Sequence, residues 1–262
     1  MLRRILKRRR INSLALVSLL VLVGCSFFLP VPWGAYALIA FGWIVITAFG
    51  SFFIGWNYHL DSLHQNQQTM DAVISLTFDD GPDPKFTPQV LELLKIHGAT
   101  ATFFCIGKHI EKHPDIVERM LLEGHSIGNH TYSHSNNFGF FSSEKVMDEL
   151  LRTKAMVREK TGRNMNLYRP AFGVTNPQIE KAVKQLGLQS IGWSVRSLDT
   201  TSRSENSILK RITTKVAKGD IVLMHDTSAK TLAVLERLLV FLEDNKLKSV
   251  TVERLLQIEA YE

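Results

Sequence analysis

The second part of the chain alternates between two hydrophobic patterns. Short apolar runs typical of buried strands cover residues 72–78, 100–106, 125–129, 167–170, 189–195, 221–225 and 249–252. Between them, apolar residues recur at helical spacing over residues 87–97, 114–123, 143–161, 176–186, 204–217 and 232–245. Strands that alternate with helices form parallel βα units. About seven such units predict an α/β fold, an incomplete (distorted) (β/α) barrel, with a doubly wound sheet as the alternative.

Two long apolar runs without any charged residue precede this body. They cover residues 14–29 and 33–54, and Pro30 and Pro32 lie between them. The second run is long enough to cross a hydrocarbon core about 30 Å thick, and the first is marginal in length. Because proline cannot continue a helix, the pattern predicts a hydrophobic helical hairpin with a tight turn. We therefore predict a membrane anchor over 1–58, a polar linker over 59–71 and a folded domain over 72–262.

Three arrangements of this anchor in a bacterial cytoplasmic (inner) membrane fit the sequence. A full hairpin places both chain ends in the cytoplasm, whereas a single effective span places the body outside. A lipoprotein signal ending at Cys25 is the third arrangement, because the preceding Leu-Val-Gly resembles a lipoprotein processing site. The basic N-terminus favours a cytoplasmic start, but residues 55–84 contain no lysine or arginine, which is typical of an exported flank. The sequence leaves the side of the membrane open.

The net charge of +6 is concentrated at the N-terminus. Six basic residues lie within the first ten positions, and they are Arg3, Arg4, Lys7, Arg8, Arg9 and Arg10. Residues 11–70 contain a single charge, Asp61, so the rest of the chain is close to neutral, with 25 basic against 24 acidic residues. A near-neutral body lacks the basic surface that nucleic-acid binding requires, so we predict no nucleic-acid partner.

Polar residues that can do chemistry stand at the ends of the predicted strands. They are Asp79 and Asp80 after the first, His130 and His134 after the third, Arg169 in the fourth, Asp199 after the fifth and His225 in the sixth. Because the carboxyl ends of parallel barrel strands build the active site, these side chains are predicted to meet there.

One aspartate and two histidines in this set predict a metal site. His130 and His134 are four residues apart, so on one helical turn they would share a face and could bind one ion. Adjacent carboxylates at Asp79 and Asp80 repel each other, and a cation removes that penalty. Taken singly, the histidine spacing also occurs on surfaces, and Asp-Asp-Gly-Pro is also typical of a turn. Together they leave coordination positions open for water and substrate.

Five short segments resemble the motifs of a known family in order and spacing. They are TFDDGP at 77–82, HTYSH at 130–134, RPAFG at 169–173, WSVRSLD at 193–199 and LMH at 223–225. The family is that of the polysaccharide deacetylases, carbohydrate esterase family 4, and the resemblance covers residues 72–260. It implies a hydrolase of carbon–nitrogen bonds other than peptide bonds. Its substrates would be the N-acetyl groups of amino sugars in peptidoglycan, chitin or chitooligosaccharides.

The resemblance also implies a role for each matching residue. The metal ligands would be Asp80, His130 and His134, with zinc the expected ion and cobalt or another divalent ion as alternatives. Asp79 would be the general base and His225 the general acid. Arg169 would orient Asp79, Asp199 would hold His225, and the backbone N–H of Phe172 would bind the oxyanion.

Arg196 and Thr200 depart from the family pattern, and two other functions remain open. Arg196 stands where the family often has aspartate, and Thr200 stands where it often has a tryptophan that walls the groove. One alternative function keeps the chemistry but acts on a lipid-linked or small N-acylated sugar at the cytoplasmic leaflet. The other is an inactive glycan-binding module.

Overall fold

A computed structural model describes residues 7–262, and its N-terminal part is the predicted helical hairpin. Arg3 and Arg4 of the basic cluster lie outside the described residues. Helix α1 (Arg8–Ser26) and helix α2 (Trp33–Phe52) are each long and apolar enough to cross a bilayer. The indole of Trp43 donates to Asn12 Oδ1 at 2.9 Å, and the hydroxyl of Tyr36 donates to the Leu22 carbonyl at 3.1 Å. These bonds join the two helices, whose other outward side chains are largely apolar and exposed.

The body is built on one curled sheet of nine short strands. They are β1 (Ser62–Leu63), β2 (Val73–Asp79), β3 (Ala101–Cys105), β4 (Ser126–Asn129), β5 (Leu167–Tyr168), β6 (Gln189–Ile191), β7 (Val195–Arg196), β8 (Ile221–His225) and β9 (Lys248–Ser249). The order is β1-β6-β5-β4-β3-β2-β8-β7, all pairings are parallel, and β9 also pairs with β2. Only residues 192–194 connect β6 to β7, which lie near opposite ends of this order. The sheet must therefore curl into an incomplete barrel, which confirms the predicted fold and not the doubly wound alternative.

Helices cover the outside of this sheet. They are α3 (Thr87–Ile96), α4 (Gly107–Lys112), α5 (Pro114–Leu122), α6 (Ser143–Thr161), α7 (Pro177–Gln185), α8 (Glu205–Thr213), α9 (Ala229–Asp244) and α10 (Val252–Leu256). Single 3₁₀ turns cover Ile54–Trp56, Phe138–Phe140 and Ala171–Gly173. Fully buried residues of β2, β3 and β8 pack against α3, α5, α8 and α9 to form the main hydrophobic core.

The sheet differs from the sequence prediction in several places. The run over 167–170 is shortened to β5, and the run over 249–252 contributes only Ser249 to β9, because Val252 begins α10. The fifth predicted run divides into β6 and β7 at Gly192, whose amide donates to the Leu63 carbonyl at 2.7 Å and whose Cα side faces the His64 ring. The predicted linker over 59–71 contains β1, which pairs with β6, and Ser62 and Ser190 also bond through their hydroxyls at 2.8 Å. The segment is therefore part of the sheet and does not act as a free tether.

The end of the hairpin is packed directly against the body. A Cβ at Gly50 would lie 2.3 Å from the ring of Tyr58, so only glycine allows this approach. The amide of Thr175, just beyond the Ala171–Gly173 turn, donates to the Ser51 carbonyl at 2.9 Å. At the other end of the hairpin, Arg8 forms an ion pair with Glu180 of α7 at 2.9 Å. Both ends of the hairpin, Arg8 and Phe52, therefore adjoin the body.

Candidate active site

Asp79, the last residue of β2, is held by a buried arginine. The Arg169 guanidinium is fully buried, and its Nη1 donates to Asp79 Oδ1 and to Thr77 Oγ1, both at 2.8 Å. Its Nη2 donates to the Gly192 carbonyl at 3.0 Å. A buried charge needs such compensation. Because Oδ1 of Asp79 is occupied, Oδ2 is the free oxygen, and it lies 3.9 Å from Nε2 of His130.

Asp80, His130 and His134 converge on one point beside Asp79. One potential ligand atom from each lies within 4.8 Å of the others. Oδ1 of Asp80 is 3.4 Å from Nε2 of His130 and 3.3 Å from Nε2 of His134. His130 Nδ1 donates to the Arg169 carbonyl at 2.9 Å, which leaves Nε2 as the nitrogen that faces the cluster. Burial raises the pKa of Asp80, but its hydrogen bond from His130 and the nearby imidazoles outweigh this and lower it. The carboxylate is therefore ionised.

The two histidines do not lie on a helical turn, so that part of the sequence prediction is wrong. Residues 130–134 form a loop in which Thr131 and His134 have left-handed backbone angles, with φ of 66° and 49°. The loop still brings the two imidazole centroids to 4.9 Å. Asn129 stabilises its start by accepting from the Thr131 amide at 2.9 Å.

Glu149 of α6 also shapes this loop, and the sequence did not predict that role. Its Oε2 accepts from the amides of Tyr132 and Ser133 at 3.1 and 2.7 Å, and the residue is only 9% exposed. The segment over 143–161 is rich in charged residues, a pattern typical of a solvated helix face, but Glu149 is buried. A buried carboxylate that accepts hydrogen bonds from two amides holds the loop between the two histidines.

His225 and Asp199 form a second charged pair on the other side of Asp80. His225 Nδ1 donates to Asp199 Oδ1 at 2.8 Å, and its amide donates to Oδ2 at 2.8 Å. Burial alone would lower the pKa of His225, but the hydrogen bond to Asp199 and the charges of Asp199, Asp79 and Asp80 raise it to about 9. Nε2 of this imidazolium lies 4.0 Å from Asp80 Oδ2 and faces the cluster. Ser197 and Thr231 donate to Asp199 at 2.8 and 3.0 Å, and the sequence predicted neither.

Phe172 borders the cluster through its ring and has a strained backbone. Its φ of 58° is left-handed, and its ring centroid lies 4.4 Å from that of His134. The residue is 49% exposed, so its ring lies beside His134 at the open edge of the cluster. All eight predicted site residues thus lie at one end of the barrel. The free carboxylate oxygen of Asp79, the Asp80–His130–His134 cluster and the His225 imidazolium therefore lie side by side, with neighbouring groups about 4 Å apart.

The chain is similar to known deacetylases in sequence. A family model described as polysaccharide deacetylase matches residues 66–191. A peptidoglycan-N-acetylglucosamine deacetylase of Bacillus cereus is 38% identical over 195 residues, which are 71% of this chain and 89% of the relative. The peptidoglycan-N-acetylglucosamine deacetylase PgdA of Listeria monocytogenes is 36% identical over 70% of this chain, but the match spans only 38% of that longer protein.

The fold is similar to that of a solved deacetylase. The structure of peptidoglycan deacetylase PdaC from Bacillus subtilis superimposes with a TM-score of 0.67 at 30% identity. The match covers 72% of this chain and 93% of the PdaC chain.

Proposed function

Because the chain belongs to the polysaccharide deacetylase family, we propose that the domain over 72–262 removes acetyl groups from amino sugars of a cell-envelope glycan. Water cleaves the acetamide carbon–nitrogen bond, and the products are acetate and the free amine of the sugar. The B. cereus and Listeria relatives are named for the N-acetylglucosamine of peptidoglycan, which makes peptidoglycan the first substrate to test. The convergence of Asp79, the Asp80–His130–His134 cluster and His225 carries this proposal.

The ligand cluster fits a divalent cation, and we assign zinc. Two imidazole nitrogens and one carboxylate oxygen are a donor set of catalytic zinc, and they leave coordination positions for water and substrate. Asp80, His130 and His134 would hold the ion, with the bond from His130 Nδ1 to the Arg169 carbonyl fixing the orientation of the His130 ring. When bound, the ion polarises the acetamide carbonyl and lowers the pKa of the attacking water.

Asp79 accepts one proton and His225 donates another, on opposite sides of the cluster. The free Oδ2 of Asp79 accepts a proton from the attacking water, while Arg169 holds Oδ1 and so positions the carboxylate. The imidazolium of His225 donates its Nε2 proton to the departing amine, which is a poor leaving group until it is protonated. Asp199 keeps this imidazole protonated and oriented. The backbone N–H of Phe172 would stabilise the oxyanion, a role that the family motif implies and that the contact of the Phe172 ring with His134 supports.

The proposed activity predicts metal-dependent release of acetate. We expect the purified full-length protein to release acetate from N-acetylated peptidoglycan, to lose this activity after chelation and to regain it with about one equivalent of Zn²⁺. Enzymatic quantification of acetate, with metal analysis of the same samples, checks this. Binding of glycan without acetate release would instead support an inactive glycan-binding module, and release that survives complete metal removal would exclude the mechanism.

We further propose that α1 and α2 anchor the protein in the bacterial cytoplasmic membrane. Their length and their exposed apolar side chains support this. Because both hairpin ends adjoin the body, two full crossings would place residues 7–10 and the active site on the same side of the bilayer. The basic residues favour the cytoplasm for that side. This observation favours a second candidate substrate with the same chemistry, namely a lipid-linked or small N-acylated sugar at the cytoplasmic leaflet.

The hairpin predicts that both chain ends report the same side of the membrane. A reporter fluorescent only in the cytoplasm and one active only outside would be fused, in separate strains, before Met1 and after Glu262. Cytoplasmic signals at both ends would select the second candidate substrate, and outside signals at both ends would select the mature glycan. Opposite signals would contradict a double crossing and indicate a single span.

A further inference from the structure

A cavity of about 280 Å³ lies at the base of the hairpin, between residues 7–10, residues 58–61 and helix α7. The base lies where lipid headgroups would be, since the apolar lengths of both membrane helices start directly beyond it. The rings of Phe49, Phe53 and Trp56 stack there, with centroids 5.7 to 6.3 Å apart. Aromatic clusters of this kind mark the membrane–water interface.

The cavity carries an excess of positive charge. Its basic lining residues are Lys7, Arg8, Arg9, Arg10 and Lys184, and its acidic ones are Asp61 and Glu180. Both acidic residues form ion pairs with basic residues of the same cavity. Lys7 pairs with Asp61, and Glu180 pairs with Arg8 at 2.9 Å and with Lys184 at 2.6 Å.

Two arginines and the start of α1 remain available to an anion. Arg9 and Arg10 are exposed and form no ion pair within residues 7–262. The Arg8 amide donates to the Tyr58 carbonyl at 3.0 Å, but helix α1 has no acidic residue in its first turn and no side-chain cap, so the positive end of its dipole adds to the charge of the arginines. These groups together favour an anionic ligand such as a phosphate.

His59 provides an independent indication that a ligand fills this cavity. The residue lines the cavity and is only 7% exposed, and its Nδ1 has no hydrogen-bond partner among the described residues. The hydroxyl of Ser51 donates to the Thr47 carbonyl at 3.0 Å, so the bond of 3.0 Å between His59 Nε2 and Ser51 Oγ must use the proton of Nε2. Burial and the charge of Arg8 lower the pKa of His59 to about 4, so the ring is neutral. Nδ1 is consequently a buried acceptor that lacks a donor.

We propose that this cavity binds the headgroup of an anionic phospholipid, with the phosphate at Arg9 and Arg10 and a headgroup hydroxyl donating to His59 Nδ1. The acyl chains would lie along the exposed apolar faces of the hairpin, which a free phosphate could not use. The site rests on the proposed membrane insertion of α1 and α2 and does not depend on the deacetylase chemistry. A lipid bound there would fix the hairpin against α7. A short loop joins the start of α7 to the Ala171–Gly173 turn, which borders the active site. The orientation of the active site over the bilayer would then be set by the lipid.

Native mass spectrometry of the full-length protein in neutral detergent tests this site. The probes are phosphatidylglycerol, which has headgroup hydroxyls, phosphatidylmethanol, which is anionic without them, and zwitterionic phosphatidylcholine. We expect phosphatidylglycerol to bind most tightly. The double variant Arg9→Gln/Arg10→Gln should bind it about 30-fold more weakly. The matched variant Lys215→Gln/Lys218→Gln removes two exposed lysines elsewhere and should bind as the wild type does. His59→Phe should bind the two anionic lipids equally.

Three outcomes would overturn the site. An equal loss of phosphatidylglycerol affinity in the two double variants would show a general charge effect. Complete displacement of the lipid by millimolar inorganic phosphate would show a site for free anions. Failure of the protein to enter phosphatidylcholine nanodiscs would reject the anchor as well as the site. Acetate release from a soluble glycan fragment should stay unchanged in all these variants, so a failure of the deacetylase proposal remains distinguishable.

Discussion

Replacing Asp79 by asparagine should lower kcat for acetate release by about 10³-fold, the usual contribution of a general base. Asparagine can still accept the bond from Arg169 through its amide oxygen, but it cannot accept a proton from water. The three proposed metal ligands are unchanged, so the variant should bind zinc as the wild type does. Steady-state kinetics with a glycan fragment and metal titration by calorimetry would check both parts.

The variant also removes the charge that compensates the buried Arg169, which we expect to lower the free energy of unfolding by about 3 kcal/mol. Kinetics must therefore be measured below the lowered Tm. Asp226→Asn is the matched control, because burial raises the pKa of Asp226 to about 7 and the residue is largely neutral at pH 6. Asparagine resembles that neutral state, so the control should remain folded and active at pH 6. If Asp79→Asn released acetate with the kcat of the wild type, Asp79 would be excluded as the general base.

The sequence predicted the regular elements well where the signals are local. Helix α6 begins and ends where predicted, because Ser142 caps it by accepting from the Lys145 amide and Gly162 ends it with a φ of 71°. Strand β8 also has its predicted bounds, since a continuous apolar run ends there in the polar His225. Both signals depend only on neighbouring residues, so no knowledge of tertiary packing was needed.

The elements that the sequence missed depend on distant partners. Strand β1 has two residues, too few for a hydrophobic period, and it exists because it pairs with β6 more than a hundred positions away. The short helix α4 follows β3 directly, and its first amides, those of Gly107 and Lys108, donate to carbonyls of the 130–134 loop at 2.9 and 3.0 Å. Neither pairing leaves a pattern in the local sequence.

The candidate site shows the same division between local and distant information. The strand-end positions of Asp79, His130 and His225 follow from the parallel βα pattern, and the structure brings these residues together. The left-handed conformations at Thr131 and His134 were not predicted, because the spacing of two histidines does not distinguish a helical turn from a loop. The loop is stabilised by Glu149 of α6. The charge pattern of that helix is typical of a solvated face, so the sequence does not reveal that Glu149 is buried.

Asp199→Asn should have the second-largest effect and should change the pH dependence. Burial lowers the pKa of His225, and the Asp199 hydrogen bond and charge oppose it, giving a pKa of about 9 in the structure. A divalent cation at Asp80 would offset the contributions of Asp79 and Asp80, which leaves Asp199 as the group that keeps His225 protonated. As pH rises through the pKa of His225, the imidazolium loses the proton that the leaving amine requires. We therefore expect kcat to fall by about 10²-fold in the variant and its alkaline decline to move to lower pH.

The sign of this shift separates an electrostatic role of Asp199 from a merely structural one. Thr231→Val is the matched control, because it removes the 3.0 Å hydrogen bond to Asp199 Oδ2 but keeps the carboxylate charge. Its alkaline decline should stay at the wild-type pH even if the fold loses some stability. Profiles of kcat against pH for the three proteins, each measured below its Tm, provide the comparison. An unchanged alkaline limb in Asp199→Asn would mean that another group donates the proton, since without Asp199 burial leaves His225 neutral at the pH where the wild type is active.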